Sequence, residues 1–419
     1  MNLPSTPSPT HPTTRCLLAT LAAAGIAMSG TAQVSGSAHS SLAALDTTVA
    51  NFLQAQKIPG ATVAVSKGGR LIMNKAYGLA DVSTSRAMTT ATRSRIGSTS
   101  KIITALGIMK LTEQEPNFFT SKPVYGANGV LSEPFWANLI YLSPMSDWAW
   151  TIRVNHLLSH SSGFSGSGSI PGAAAMFNAA EEDVTYSQVH AHFLWTTDLA
   201  FNPGTSEEYS NHGMGLCGLL IARTAGVPYE TYIRDNVLLP IGLTNVVPTG
   251  IAPSLLDAAP HLYNGSGNPA VWNTLGVPHP AEYAAGGWSA TARDLVRLMC
   301  ATDKLANHSD ILQPATINLM ESRPYPNTAP SGAHGWRYEG PQGKLWHNGS
   351  VGGGASYIVK FPAGYTSANG TDLSNVNVAV CVNIQNANPL KGLVDTIAVT
   401  AGAASVPVWY DLFGGAYGG

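Results

Sequence analysis

The sequence predicts an α+β fold: an antiparallel sheet formed from both chain ends and flanked by helices, with a mostly helical lobe inserted between the two halves. Three observations carry this. Ala61-Thr62-Val63-Ala64-Val65-Ser66 reads as a strand, and Leu71 to Leu79 pairs back on it across the turn Lys67-Gly68-Gly69-Arg70. Strand character returns only late, over Gly343 to Trp346, Ser356 to Phe361 and Val376 to Ile384. Between these sets, from about residue 112 to 285, the pattern is helical or irregular.

The elements follow in order. Residues 1–14 are polar and rich in Pro, Ser and Thr; Arg15 then precedes an apolar run from Cys16 to Met28. Small residues come next, so Gly30-Thr31-Ala32 or Gly36-Ser37-Ala38 is a fitting cleavage site. This reads as a signal peptide over residues 1–38, which implies a secreted or periplasmic protein. The run is too short for a membrane span. Residues 41–56 form an amphipathic helix with Leu42, Leu45, Val49, Phe52 and Leu53 on one side, stopped by Pro59-Gly60. After the hairpin, a polar connection leads to Arg95-Ile96-Gly97-Ser98-Thr99-Ser100-Lys101, the opening of a buried helix whose apolar face carries Ile102, Leu106 and Met109.

In the inserted lobe, Trp136, Tyr141, Trp148 and Trp150 are expected to form the core of an excursion. Thr151 to Ser159 is helical, and Ser162 to Ser169 is a Gly/Ser loop near whatever the chain surrounds. Met214 to Thr224 is a compact buried helix, and Tyr229 to Leu239 another, ended by Pro240. A last helix runs from about Pro389 to Ala401. The catalytic domain is thus residues 39–419, with an α/β lobe at 39–111 and 286–419 and the helical lobe at 112–285.

Composition excludes several classes. Among 419 residues, 11% are charged and the net charge is −2, with no Lys/Arg run, so a nucleic-acid partner is not expected. No glycine-rich phosphate loop is present, and no cofactor is implied. Cys217, Cys300 and Cys381 lie in apolar sequence and read as buried structural residues; Cys16 falls in the leading apolar run. His190-Ala191-His192 lacks partners at ligand spacing, so no metal site is expected. Nothing in the sequence sets the oligomeric state.

Three short patterns carry chemistry. Ser98 and Lys101 are three apart at a helix start, so the amine shares a face with the hydroxyl and can take or steer its proton. The helix N-terminus favours negative charge developing at its N–H groups. Tyr209 and Asn211, after the turn Asn202-Pro203-Gly204-Thr205, alternate and point the same way on an extended segment. A tyrosine beside ammonium groups can serve as general base, and an Asn side chain can hold a substrate carbonyl. His347, at a strand end, is placed to donate to substrate or to the tyrosine oxygen. Gly349 lets substrate backbone approach, and the Ser350 N–H can join that of Ser98 in an oxyanion hole.

Taken together, Ser98-x-x-Lys101, Tyr209-x-Asn211 and His347-x-Gly349 resemble the serine hydrolases of the class C β-lactamase and D,D-peptidase family, which includes esterases and D-amino-acid peptidases. Gln56-Lys57-Ile58-Pro59-Gly60-Ala61, the run from His156 to Phe164, and Gly286 to Leu295 look like the family too, so the resemblance covers roughly residues 41–400. It implies a β-lactamase/transpeptidase-like fold, with Ser98 acylated, Lys101 assisting proton removal, and Tyr209 carrying protons in acylation and deacylation. Asn211 would orient the acyl group, and His347, Gly349 and Ser350 would border the substrate. His347 stands where β-lactamases of this class carry a lysine. A largely neutral imidazole offers no permanent charge to a substrate carboxylate, which favours a small ester, amide or D-peptide substrate over a β-lactam. No Gly-x-Ser-x-Gly elbow occurs, since Gly287-Trp288-Ser289-Ala290-Thr291 misses at its last position. His160 reads as a structural residue at a helix end, and His212 points away from the Tyr209/Asn211 face.

Overall fold

The computed structural model describes residues 33–144, 148–249, 279–324 and 332–414. The chain opens with β1 (Val34–Ala38), α1 (Ala44–Ala55), β2 (Gly60–Lys67) and β3 (Arg70–Asp81), followed by the short strands β4 (Arg86–Ala87) and β5 (Ser94–Arg95). A 3-10 turn, Gly97–Thr99, leads into α2 (Ser100–Gln114). The inserted region holds α3 (Pro134–Leu142), α4 (Val154–Leu158), α5 (Ile170–Phe177), α6 (Tyr186–Thr196), α7 (Asn211–Ala225), α8 (Tyr229–Ile233), β6 (Val247–Pro248) and α9 (Tyr283–Gly286). Then come β7 (Trp288–Ala290), α10 (Ala292–Cys300), α11 (Pro314–Glu321), β8 (Arg337–Glu339), β9 (Lys344–Val351), β10 (Gly354–Lys360), β11 (Val376–Val382) and α12 (Leu390–Ala403).

The main sheet is antiparallel, in the order β1-β3-β2-β11-β10-β9-β8, with β4 paired to β3. Its centre joins the two halves of the chain: β2 lies against β11 with Val63 opposite Val380. This is the predicted α+β architecture. The central strands are apolar almost throughout because both sheet faces are covered. Val63, Val65, Val378 and Val380 pack on one face with Leu45 and Val49 of α1 and Leu393 and Ile397 of α12. Ala64, Ala379 and Cys381 face the other way, into a core shared with α2, α7 and α10.

Two expectations change. Val34–Ala38 is not a loose leader: it pairs with Met73 to Tyr77 of β3 as the sheet edge, so the boundary expected at residue 38 falls at the end of a paired strand. Residues 1–32, with most of the expected signal peptide and Cys16, lie outside the described residues. Of the aromatic residues expected in the core of the excursion, Trp136 is buried, but Tyr141 is 71% and Trp148 48% exposed. Aromatic content alone does not say which helix face turns inward. Cys217, Cys300 and Cys381 are buried free thiols. Among the described residues no helix is long and apolar enough to cross a membrane.

Candidate active site

Ser98 sits in the 3-10 turn before α2, not at the helix N-cap. The turn is pinned from two sides. Ser356 of β10 donates to the Ile96 carbonyl (2.8 Å) and bonds the Thr99 hydroxyl (2.7 Å). On the other side, the Ile96 N–H donates to the Trp288 carbonyl (3.0 Å), and the Trp288 N–H to Ser100 Oγ (3.2 Å). Glycine is required where β9 crosses this turn. A Cβ on Gly349 would stand 1.8 Å from the Ile96 oxygen and 2.9 Å from Ser98 N, and one on Gly97 (φ +52°) would stand 2.7 Å from Ser350 N. That close crossing puts the Ser98 and Ser350 backbones together on one cleft wall, as an oxyanion hole needs.

Lys101 lies one turn into the same segment and has no exposed surface. Its Nζ contacts Ser98 Oγ (3.1 Å), Asn211 Oδ1 (2.7 Å) and the Ala285 carbonyl (2.5 Å). Burial, helped by the nearby Arg337 charge, holds its pKa well below 10.5. Two of the three partners can only accept. In its neutral form the amine can spend both N–H donors on Asn211 and Ala285 and turn its lone pair to the Ser98 hydroxyl.

Tyr209 and Asn211 come to this point from the inserted region. Asn211 is the first residue of α7, capped by Ser210, whose Oγ accepts from Gly213 N (2.9 Å). The segment is thus a strand-like approach followed by a helix, and both side chains still meet the Ser98–Lys101 face. The Tyr209 hydroxyl is hydrogen-bonded to Ser98. Burial raises its pKa, while that hydrogen bond and the Arg337 charge pull it back. Asn211 Nδ2 also donates to Ser167 Oγ (3.1 Å), which ties the Gly/Ser loop to the site.

His347 is buried on β9, 6.5 Å from the Tyr209 ring between centroids. Its Nδ1 lies 2.7 Å from the Asn348 carbonyl. A carbonyl only accepts, so the proton is on Nδ1 and Nε2 carries a lone pair. Burial and the Lys101 charge push the pKa down to about 3. The expectation that His347 donates is therefore corrected: at neutral pH its free nitrogen accepts.

Arg337 and Glu207 were given no role by the sequence, and His160 was read as a structural residue at a helix end. His160, at the end of α4, accepts from Ser210 N at Nδ1 (3.2 Å), and its ring packs 4.6 Å from that of Tyr209. Arg337 lies with its Cζ 5.0 Å over the Tyr209 ring. Glu207 holds Arg337 in an ion pair (3.2 Å). The available signal was charge itself, since few residues of this chain carry any. His212, read from the sequence as pointing away, lines the same cleft as Ser98 and Asn211. It accepts or donates within a buried set that runs from Tyr125 through His190 (2.7 Å) to His212 (2.9 Å) and Tyr186 (3.3 Å). Both ring nitrogens of His190 are thus engaged by neighbouring side chains.

A model of the family described as Beta-lactamase matches residues 45–400. The chain belongs to that family of serine hydrolases. It is 26% identical over 327 residues to Protein flp of Staphylococcus aureus (strain MW2), a match covering 76% of this chain and 60% of that protein. It is 25% identical over 207 residues to Penicillin-binding protein 4* of Bacillus subtilis (strain 168), covering 47% of this chain and 40% of that one. The match therefore spans less than two thirds of the length of these relatives. Among solved structures, an octameric penicillin-binding protein homologue from Pyrococcus abyssi superposes with a TM-score of 0.64 at 24% identity, covering 85% of this chain and 76% of that one. At that identity the likeness speaks for the fold alone.

Proposed function

We propose that this member of the beta-lactamase family is an exported serine hydrolase that forms an acyl-enzyme on Ser98 and acts on ester, amide or D-amino-acid peptide bonds. The observation that carries the reading is the set of partners around Lys101 Nζ: two obligate acceptors and the Ser98 hydroxyl. Neutral Lys101 takes the Ser98 proton as Oγ attacks the substrate carbonyl carbon. The resulting oxyanion receives the Ser98 and Ser350 N–H groups. Tyr209, kept protonated by burial, passes its O–H proton to the leaving oxygen or nitrogen and recovers one from Lys101. Water then enters and the same proton path runs in reverse. Asn211 orients both the amine and the acyl group.

The cleft beside Ser98 has a volume of about 170 Å³, with Ile170, Val189, Ala281 and Ala285 on its walls. Apolar cavities of about 150 Å³ hold one benzene ring, so a short acyl group fits. His347 supports an ester or amide substrate over a β-lactam because its Nε2 offers an acceptor and no charge. A β-lactamase or D,D-carboxypeptidase reading needs a cation for the substrate carboxylate. Among the described residues, Arg337 lies over the Tyr209 ring, and Glu207 already engages it. A penicillin-recognising scaffold without turnover has no use for both proton carriers.

Short-chain p-nitrophenyl esters, nitrocefin and D-alanyl or D-amino-amide peptides, assayed side by side, test the substrate class. Ester or D-amide turnover above nitrocefin turnover is expected. The reverse ranking overturns the reading of His347; no penicillin or fluorophosphonate adduct on Ser98 favours the scaffold, and an adduct released slowly favours a sensor.

A further inference from the structure

We propose that Glu207 and Arg337 form a positioning pair for Tyr209: the carboxylate clamps the guanidinium over the phenol ring, fixing the ring against Ser98 and holding a second cation beside the Ser98–Lys101–Tyr209 proton path. The inference rests on the serine-hydrolase reading and adds to it residues outside the three motifs.

Arg337 opens β8, at the edge of the main sheet, whereas Glu207 and Tyr209 lie in the loop that precedes α7. The two segments meet through this pair. Arg337 Nη1 donates to Glu207 Oε1 (3.2 Å), and the other carboxylate oxygen accepts the Gly332 N–H (2.8 Å). The side chains of Arg337 and Glu207 are 16% and 9% exposed, so the pair is largely shielded from water and from salt. Both carboxylate oxygens are thus spent on the wall facing β8, two residues before Tyr209. The guanidinium carbon then stands 5.0 Å over the Tyr209 ring, and Lys101 Nζ stands 4.8 Å from it. His160 packs its ring 4.6 Å from the phenol, and its carbonyl accepts the Glu208 N–H (2.9 Å). Glu207, Glu208, Tyr209 and Ser210 are therefore held in succession.

Among the described residues, the charged or titratable groups around Tyr209 are Lys101 of α2, His160 after α4, Glu207 on its own loop, Arg337 of β8 and His347 of β9. His160 and His347 are neutral at working pH, because burial lowers both. With Lys101 neutral at the start of the reaction, Arg337, paired with Glu207, is the standing positive charge beside Tyr209. Its charge opposes protonation of Lys101 and favours ionisation of Tyr209. Removing it moves both groups towards their protonated forms.

The test is the pH profile of kcat and kcat/KM for one uncharged short-chain p-nitrophenyl ester and one p-nitrophenyl ester bearing a carboxylate, in wild type, R337M, R337K, E207Q and the E207Q/R337M double variant. Wild-type turnover and its loss in S98A establish the hydrolase reading separately, so failure of the pair does not blur into failure of the reading. R337M is expected to lose about 10- to 100-fold in kcat with KM changed by less than about threefold, and its acid limb moves to higher pH. R337K keeps the charge without the fork: its limb stays near wild type and kcat falls by less than about tenfold. The double variant is no slower than R337M, because the two residues act as one unit. R337K and E207Q keep the test decisive should R337M fail to fold, as checked by its melting curve. An unmoved limb in R337M with unchanged kcat overturns the proposal. So does a loss confined to KM and to substrates bearing a carboxylate, which assigns Arg337 to substrate binding, or full additivity of the two substitutions.

Discussion

Lys101 brings an amine into a place with no exposed surface, where its Nζ meets Asn211, the Ala285 carbonyl and Ser98. Because its pKa is held well below 10.5, the neutral form is available to accept the Ser98 proton. Activity should accordingly rise with pH along one acid limb and be lost in K101R, whose guanidinium cannot be deprotonated; a fall in kcat of about 10³-fold is expected. His347, with a pKa pushed down to about 3, adds no limb of its own near pH 6.5. An H347Q variant should keep the shape of the wild-type profile, and a limb near 6.5 that vanishes in H347Q contradicts the assignment. Ser98 and Lys101 were legible in sequence because a three-residue spacing on a helical segment fixes their juxtaposition locally. Arg337 and Glu207 were not, because 130 positions separate them and only the packing of β8 against the loop before α7 brings them together.

The element that does most for the site is the crossing of β9 over the turn before α2. Gly349 was read as allowing substrate backbone to approach; the structure shows that it also admits the chain's own Ile96 carbonyl. G349A should push the strand off the turn and separate the Ser98 and Ser350 N–H groups. The expected cost is about 10²-fold in kcat/KM and 1–3 kcal/mol or more in stability, measured by ester assay and urea unfolding. Retained activity contradicts this geometry. Helix α2 was read with one apolar face, but twelve of its fifteen residues are buried. Gly107 lies so close to Ile233 and Ile221 that a Cβ there would stand 2.6 Å and 3.0 Å from their side chains. Helix boundaries were less legible than helix existence: the segment read as alternating through Asn211 becomes helix at that residue, because the Ser210 cap starts α7 there.

Across the whole molecule, the sheet was legible because strands covered on both faces are apolar throughout, and they occur at the two chain ends. The edge strand Val34–Ala38 was not, since it is mostly exposed and its residues, Val-Ser-Gly-Ser-Ala, include one large apolar side chain. A further global property comes from histidine. His156, His190, His334 and His347 have pKa values lowered to about 4, 3, 4 and 3, and His160 and His212 are lowered too, with burial the first cause in every case. The fold holds them neutral while the unfolded chain protonates them near 6.5. Their contribution is therefore full above about pH 6.5 and lost as pH falls towards 4, at about 1.4 kcal/mol per unit for each group. The melting temperature should drop steeply over that window; a flat profile from pH 7 to about pH 4.5 contradicts the buried-neutral assignment.

The account turns on one atom, Ser98 Oγ. Peptide mass spectrometry after exposure to a fluorophosphonate, on wild type and K101R, tests it most directly. The predicted result is a single adduct on the peptide carrying Ser98, formed far more slowly in K101R and absent from S98A. An adduct on another residue, or none while ester turnover persists, contradicts it.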